Sequence, residues 1–394
     1  MSGMSTAPRA FERHYDVVVV GARAAGAATA MLLARAGQRV LVVDRGRYGA
    51  DTLSTHALMR GAVIQLRRWG LLDDIVAAGT PPITRTTFRY GTETIEVPIK
   101  PSHGVEALYA PRRTVLDAVL VDAAAAAGAD VSHGVTVTGL RRDRHGRVVG
   151  VVARDDTGHS LAVDASLVIG ADGMRSSVAR HVAAPIERRG TGASAVVYGY
   201  WSQLETTGYE WVFRPNACAG VIPTNGELAC VFAAASPARI GRGGPSVLES
   251  VLRQACPETA ARVRDATLAT GVRTFLGQPG FLRRSWGPGW ALVGDAGYWK
   301  DPLSAHGLTD ALRDAELLAR AVQASASGDE TESEAFARYQ LVRDRLSMPL
   351  FLITDQIATQ RWTDATIGGL LIQLSASMAD EVDALVALDA FAAL

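Results

Sequence analysis

The sequence predicts a mixed α/β fold in two interleaved domains, and three observations carry that prediction. Apolar runs without alternation recur at residues 17–20, 40–43, 167–170 and 290–296, the pattern of strands buried on both faces. An Ala/Leu-rich helical stretch ending near Gly37 separates the first two runs, giving a βαβ unit of the Rossmann-like kind. From about residue 190 to 285 the pattern changes to short, alternating, aromatic-bearing runs, which suggest an inserted antiparallel sheet.

The elements follow in order. After Asp44 comes a glycine- and Ser/Thr-rich loop, then helical spacing over 58–69 and 72–78. Thr80-Pro81-Pro82 breaks it, and alternation over 86–90 and 94–99 predicts a hairpin. A long helix is expected over 111–127, then strands at 131–138, 148–154 and 160–163 around the turn signals His145-Gly146 and Thr157-Gly158. A helix over 245–256 is expected to cover the second sheet. A loop reaches Gly307, a helix runs from about Ser304 through Val322, residues 325–333 read as loop, and helices complete the chain. The expected division is therefore 14–80, 108–188 and 286–345 for the nucleotide-type domain, 81–107 and 189–285 for the sheet domain, and 346–394 for a C-terminal helical segment.

Composition narrows the function. With 40 basic and 40 acidic residues the net charge is zero, which recommends no nucleic-acid partner. The only lysines are Lys100 and Lys300. Cys218, Cys230 and Cys256 share no metal-ligand spacing, so no metal is expected and the thiols read as reduced residues of a cytoplasmic protein. Residues 1–13 lack the apolar core of a secretory leader, and no apolar run reaches the ~18 residues of a membrane span. A monomer or homodimer without membrane contact is expected.

The chemistry begins at residues 15–44: strand, glycine turn, helix, strand, acid. Backbone N–H groups at such a helix start receive a pyrophosphate, helped by the helix dipole, and the acid takes ribose hydroxyls. Here the turn reads Gly21-Ala22-Arg23-Ala24-Ala25-Gly26 and the acid is Asp44. Arg23 stands where a second glycine usually lets the phosphate approach. It either turns away while its N–H serves, or adds a guanidinium to the phosphates. An ordinary βαβ unit without nucleotide is the alternative.

Two more signatures follow: Gly170-Ala171-Asp172-Gly173 with Arg175-Ser176, and Gly294-Asp295-Ala296 with Pro302 and Gly307. In this order the three resemble the FAD-dependent monooxygenase superfamily of the para-hydroxybenzoate hydroxylase type, which also contains flavin halogenases and geranylgeranyl reductases. The resemblance covers roughly residues 14 to 345. It implies FAD in a glutathione-reductase-type domain, with NAD(P)H as a transient co-substrate. It places Asp44 on the ribose, Arg45 over the adenine, the backbone of Val137 beside it, and Asp172 near the pyrophosphate. Arg113, in Arg-x-x-Leu116-x-x-x-Leu120, matches the family arginine that reaches the phosphate or ribityl chain; Arg112 competes for that role. Asp295 would bond the ribityl O3′, and N–H groups near Gly307 and Leu308 would face the flavin N1–C2=O edge, which gains negative charge on reduction. Read alone, Asp172 and Asp295 serve equally as helix caps.

On the substrate side, His56 and His306 fall in loops that the resemblance passes by the flavin. Either has a pKa suited to orienting or deprotonating a phenol, and either serves also as a structural histidine. Tyr198, Tyr200, Trp201, Trp211 and Phe213 come from the sheet that would roof a small aromatic substrate, with Tyr198 and Tyr200 on one face. The leading expectation is hydroxylation of an aromatic or polyketide-like molecule through a flavin C4a-hydroperoxide. Double-bond reduction is compatible, and would be favoured by an aliphatic pocket. Halogenation is disfavoured: residues 46–99 hold no lysine and Val221-Ile222-Pro223 lacks the paired tryptophans, leaving Lys300 as the exception. A flavin-binding module without turnover is the remaining alternative.

Overall fold

The computed structural model describes residues 14–388. The reading of residues 1–13, and the last residues of the C-terminal tail, lie outside them.

Two eight-stranded sheets organise the molecule. The first runs Trp286–Gly287, Trp290–Leu292, Ser160–Gly170, His14–Val20, Val40–Asp44, Asp130–His133, with a hairpin (Thr136–Arg142, Val148–Arg154) added beside Ser160–Gly170. From Trp290–Leu292 to Asp130–His133 its pairs are parallel. Valines 17 to 20 are buried on both faces, which is why the run shows no alternation. The helix Ala24–Arg35 packs between the helices Gly307–Ser327 and Arg113–Ala126. Its Ala28 and Ala30 are fully buried, so the backbones approach closely, and a larger side chain at either would cost ~1–3 kcal/mol.

The second sheet runs Thr267–Leu268, Ala195–Ser202, Leu228–Ala235, Ala217–Thr224, Tyr209–Arg214, Arg85–Tyr90, Glu93–Pro98, with Arg273–Phe275 also on Ala195–Ser202. The helix Pro245–Ala255 covers its outer face, where Val197 and Trp201 pack with Leu248 and Val251. Its inner face carries Tyr198, Tyr200, Trp211 and Phe232 into one core with the first domain. Alternation therefore separates Trp201 from the tyrosines and removes it from the expected roof.

Several expectations are corrected. The inserted sheet is mixed, because Tyr209–Arg214 pairs in parallel with Arg85–Tyr90. Residues 131–138 form two strands, broken at Gly134, which adopts a positive φ. Residues 160–170 form one strand, long enough to pair in both directions. The helix expected from Ser304 begins at Gly307 after a tight turn at Pro302–Ser304, and continues to Ser327. The next helix begins at Glu332 with a reciprocal Thr331–Glu334 cap, so the expected 325–333 loop is much shorter. That helix, Glu332–Ala358, runs straight through the domain boundary expected at 345/346. A three-stranded sheet of Tyr298–Trp299, Phe281–Arg283 and Ile186–Arg189 ties the two domains near the third signature.

Candidate functional site

The three signatures meet. A Cβ on Gly21, whose φ is +110°, would lie 2.5 Å from the Ala171 carbonyl oxygen, and one on Gly26 would lie 1.8 Å from that of Gly21. A Cβ on Gly294 (φ +58°) would come within 2.8 Å of the Ala25 side chain. The turns are thus packed against one another so closely that only glycine fits at these three positions. Backbone bonds complete the junction: Gly21 N donates to Val43 O, Ala171 N to Val20 O, and Val293 N to Gly170 O.

Asp44 ends its strand and organises the first turn, accepting from Ala22 N at 2.7 Å and Gly46 N at 2.6 Å. Arg45 beside it is exposed, whereas Val137 is buried in the core beneath the first sheet. The helix from Ala24 has Arg23 at its N-cap and receives no side-chain cap, which leaves its first N–H groups for a ligand. The side chain of Arg23 turns to Asp117 at 3.4 Å. Asp117 is also gripped by Arg113, through contacts of 2.8, 2.9 and 3.0 Å. Two guanidinium groups thus share one carboxylate beside an uncapped helix N-terminus, a surplus of positive charge suited to a diphosphate.

Asp172 is a helix cap here: its Oδ2 accepts from Ser177 N and Oγ, while Oδ1 has no partner. Asp295 lacks any hydrogen-bond partner among the described residues, and burial pushes it up to about 6 against the pull of Lys300 and Arg113. A ligand hydroxyl would satisfy that carboxyl. Pro302 shapes the following turn, and the helix it leads into again has no side-chain cap, with Gly307 exposed and Leu308 half-buried. The close-packed glycines, two open helix starts, the charge surplus and the unpaired acid all fit FAD.

A second cluster faces it from the sheet. His56, in a left-handed backbone conformation, is buried. Its Nδ1 lies 3.1 Å from the Ala110 carbonyl oxygen, so Nδ1 carries the proton and Nε2 accepts from the Tyr200 hydroxyl at 3.1 Å. Burial, aided by Arg112, pushes His56 down to about 3. The expectation of a histidine titrating near neutrality is therefore corrected: His56 is a neutral acceptor that orients Tyr200. The Arg112 guanidinium lies 3.8 Å from the Tyr200 ring centroid. It also binds Asp51 at 2.8 Å, and Asp51 meets Arg273 at 3.1 Å. The Tyr198 hydroxyl accepts from Ser54 N at 3.1 Å. Trp211 stands further along the sheet between Tyr209 and Phe232.

His306 does not join this group. It is buried and its Nε2 bonds Glu381 of the C-terminal helix, which corrects the expectation that it faces substrate. Lys300 is paired with Asp310, and burial pushes its ammonium down to about 7. Arg313 binds Asp310, Asp314 and Glu381. The donor atoms of His306, Asp310 and Glu381 lie close enough for a metal, but Lys300 and Arg313 already supply the positive charge there. Sequence reasoning missed Asp51, Arg273 and Asp117. The i,i+4 spacing of Arg113 and Asp117 was a usable signal, whereas nothing local marks Asp51 or Arg273.

Comparison with known proteins agrees with this geometry. The chain is 28% identical to menaquinone reductase of Mycolicibacterium smegmatis over 94% of its own length and 93% of that protein's. It superposes on the flavin-dependent brominase Bmp2 with TM-score 0.79 at 18% identity, over 94% of this chain and 93% of the other. The probable FAD-dependent monooxygenase PqsL of Pseudomonas aeruginosa gives 0.73 at 21% identity, over 91% and 99%. These two likenesses show the fold. Residues 14–349 match the model of the FAD binding domain family, and the chain belongs to that family as an FAD-dependent oxidoreductase.

Proposed function

We propose that the protein is a monooxygenase that takes electrons from NAD(P)H and hydroxylates an aromatic small molecule carrying a negative charge. The observation that carries this reading is Tyr200, held by His56 on its hydroxyl and by Arg112 on its ring, at the centre of an aromatic inner sheet face. Bound FAD would store the electrons and activate oxygen.

The chain's own residues do the rest. Tyr198, Trp211 and Phe232 line the sheet face that would take an aromatic substrate and keep water out. The Tyr200 proton is committed to His56 Nε2, so its oxygen is free to accept from a substrate hydroxyl. Burial raises the Tyr200 phenol well above its ordinary range, so it stays protonated and positions rather than titrates. Arg112 and Arg273 share only Asp51, and the surplus charge suits a carboxylate or phenolate.

The likenesses to menaquinone reductase and, at 26% identity, to digeranylgeranylglycerophospholipid reductase 1 favour a second reading, a reductase acting on an isoprenoid compound, with a double bond as the group reduced. Oxygen separates the two. FAD-loaded protein is mixed with NADPH and a panel of aromatic acids, phenols and polyprenyl quinones, and isotopic oxygen incorporation is followed. Labelled hydroxylated product supports the monooxygenase; a saturated quinone side chain formed without oxygen replaces it with the reductase. NADPH oxidation with no compound in either panel points to neither, and a preparation that takes up no FAD removes both.

A further inference from the structure

The C-terminal helix Asp364–Val386 has no part in the reading above, yet it buries one acid, Glu381, at 1% exposure. Glu381 accepts from His306 Nε2 and, at 2.7 Å, from Arg313. His306 is the residue from which the helix Gly307–Ser327 springs, and its ring makes no cap bond to that helix but is committed to Glu381. Burial opposes ionisation of Glu381, but the charges of Arg313 and Lys300 and the hydrogen bond from His306 hold its carboxyl low, so it is a carboxylate and can only accept. Nε2 therefore carries the His306 proton. Burial disfavours a second one, leaving the ring neutral and Nδ1 without a partner.

We infer that Glu381 is a positioning residue of the flavin site: it fixes His306 at the start of the helix whose N–H groups meet the flavin, and sets a negative charge behind them. The inference rests on the flavin reading of that helix start. Three carboxylates, Asp310, Asp314 and Glu381, meet Arg313 here and Lys300 pairs with Asp310, so the Glu381 carboxylate adds negative charge behind the helix start. A helix N-terminus stabilises the anionic reduced flavin, and a buried carboxylate behind it offsets that effect. The helix itself does not depend on Glu381 to dock. Ile367, Leu374, Val382 and Leu385 are in the core, and Arg68 binds the Leu385 and Leu388 carbonyls. The Leu385 and Thr309 side chains both close on Gly61, so the contact reaches the first turn of the flavin-facing helix.

The test is the midpoint potential of the FAD-loaded full chain, by dye-coupled reduction. Glu381→Gln is expected to favour the reduced flavin tenfold, a rise of about 30 mV for a two-electron couple. Asp383→Asn, an exposed acid on the same helix, is expected to leave the potential unchanged. A Glu381→Gln variant that binds FAD with the parental potential overturns the inference. An unsubstituted chain that binds no FAD overturns the flavin reading instead. Should the glutamine variant fail to fold, the ring nitrogens of His306 are read by 15N NMR in the unsubstituted protein. The inference requires the Nε2–H form and a shift of both resonances on flavin reduction; the other tautomer, or resonances blind to reduction, overturns it.

Discussion

Two arginine–aspartate clusters sit side by side in this molecule, anchored on consecutive residues, and they are built differently. In each, two arginines share one aspartate, and the outer arginine, Arg23 or Arg273, has a side chain 37% exposed. The inner arginines diverge. Arg113 grips Asp117 from one turn away on the same helix, and the rigid backbone between them fixes the geometry. Arg112 makes a single contact to Asp51, keeps an unpartnered Nε and rests on the ring of Tyr200. Asp51 comes from a loop, and Arg273, which shares it, from a short strand of the other domain. In the function proposed above, the first cluster would hold one unchanging anion and the second would adapt to a variable one. That difference is what a site holding a permanent cofactor and an exchangeable substrate requires.

Substitution can break the comparison. Arg113→Met leaves Asp117 buried with only the distant Arg23, and is expected to weaken FAD binding by about 3 kcal/mol, more than 100-fold, by fluorescence titration. An unchanged affinity would transfer the phosphate role to Arg112. His56→Gln tests the wall of the second cluster through pH. The folded-state pKa of His56 is depressed from 6.5 to about 3, so the unfolded chain binds the proton first and His56 costs stability as pH falls below 6.5. At pH 5 that cost is ~2 kcal/mol relative to neutrality, and the glutamine variant should lose that part of the slope in denaturant titrations at both pH values. Arg112→Met is expected to raise KM for an anionic aromatic substrate about tenfold, with FAD affinity kept. An equal loss for a neutral analogue would show stacking, not charge, to be its contribution. Arg23→Ala, the smallest change, should weaken FAD by ~0.5 kcal/mol, since an exposed ion pair contributes little.

The parallel sheet and its glycine turns were legible because a buried run, a tight turn and an acid follow one another within a single βαβ unit. The strand break at Gly134 was not, since the alternation from Val131 to Thr138 reads as one strand and a positive φ leaves no periodic trace. His56 was singled out for the right loop and the wrong chemistry: residue type suggests a neutral-range pKa, but burial against Ala110, Tyr200 and Arg112 decides it. His306 failed likewise, because its partner Glu381 lies 75 residues downstream.

By itself the sequence determined the order of elements, the turns where only glycine fits, and the acids that end strands, because each depends on neighbours within a few residues. The tertiary structure alone decided which arginine pairs with which aspartate, that His56 is a neutral acceptor, and that the C-terminal helix reaches the turn before Gly307. Those outcomes depend on burial and on charges brought together from distant parts of the chain, and local pattern carries no record of either.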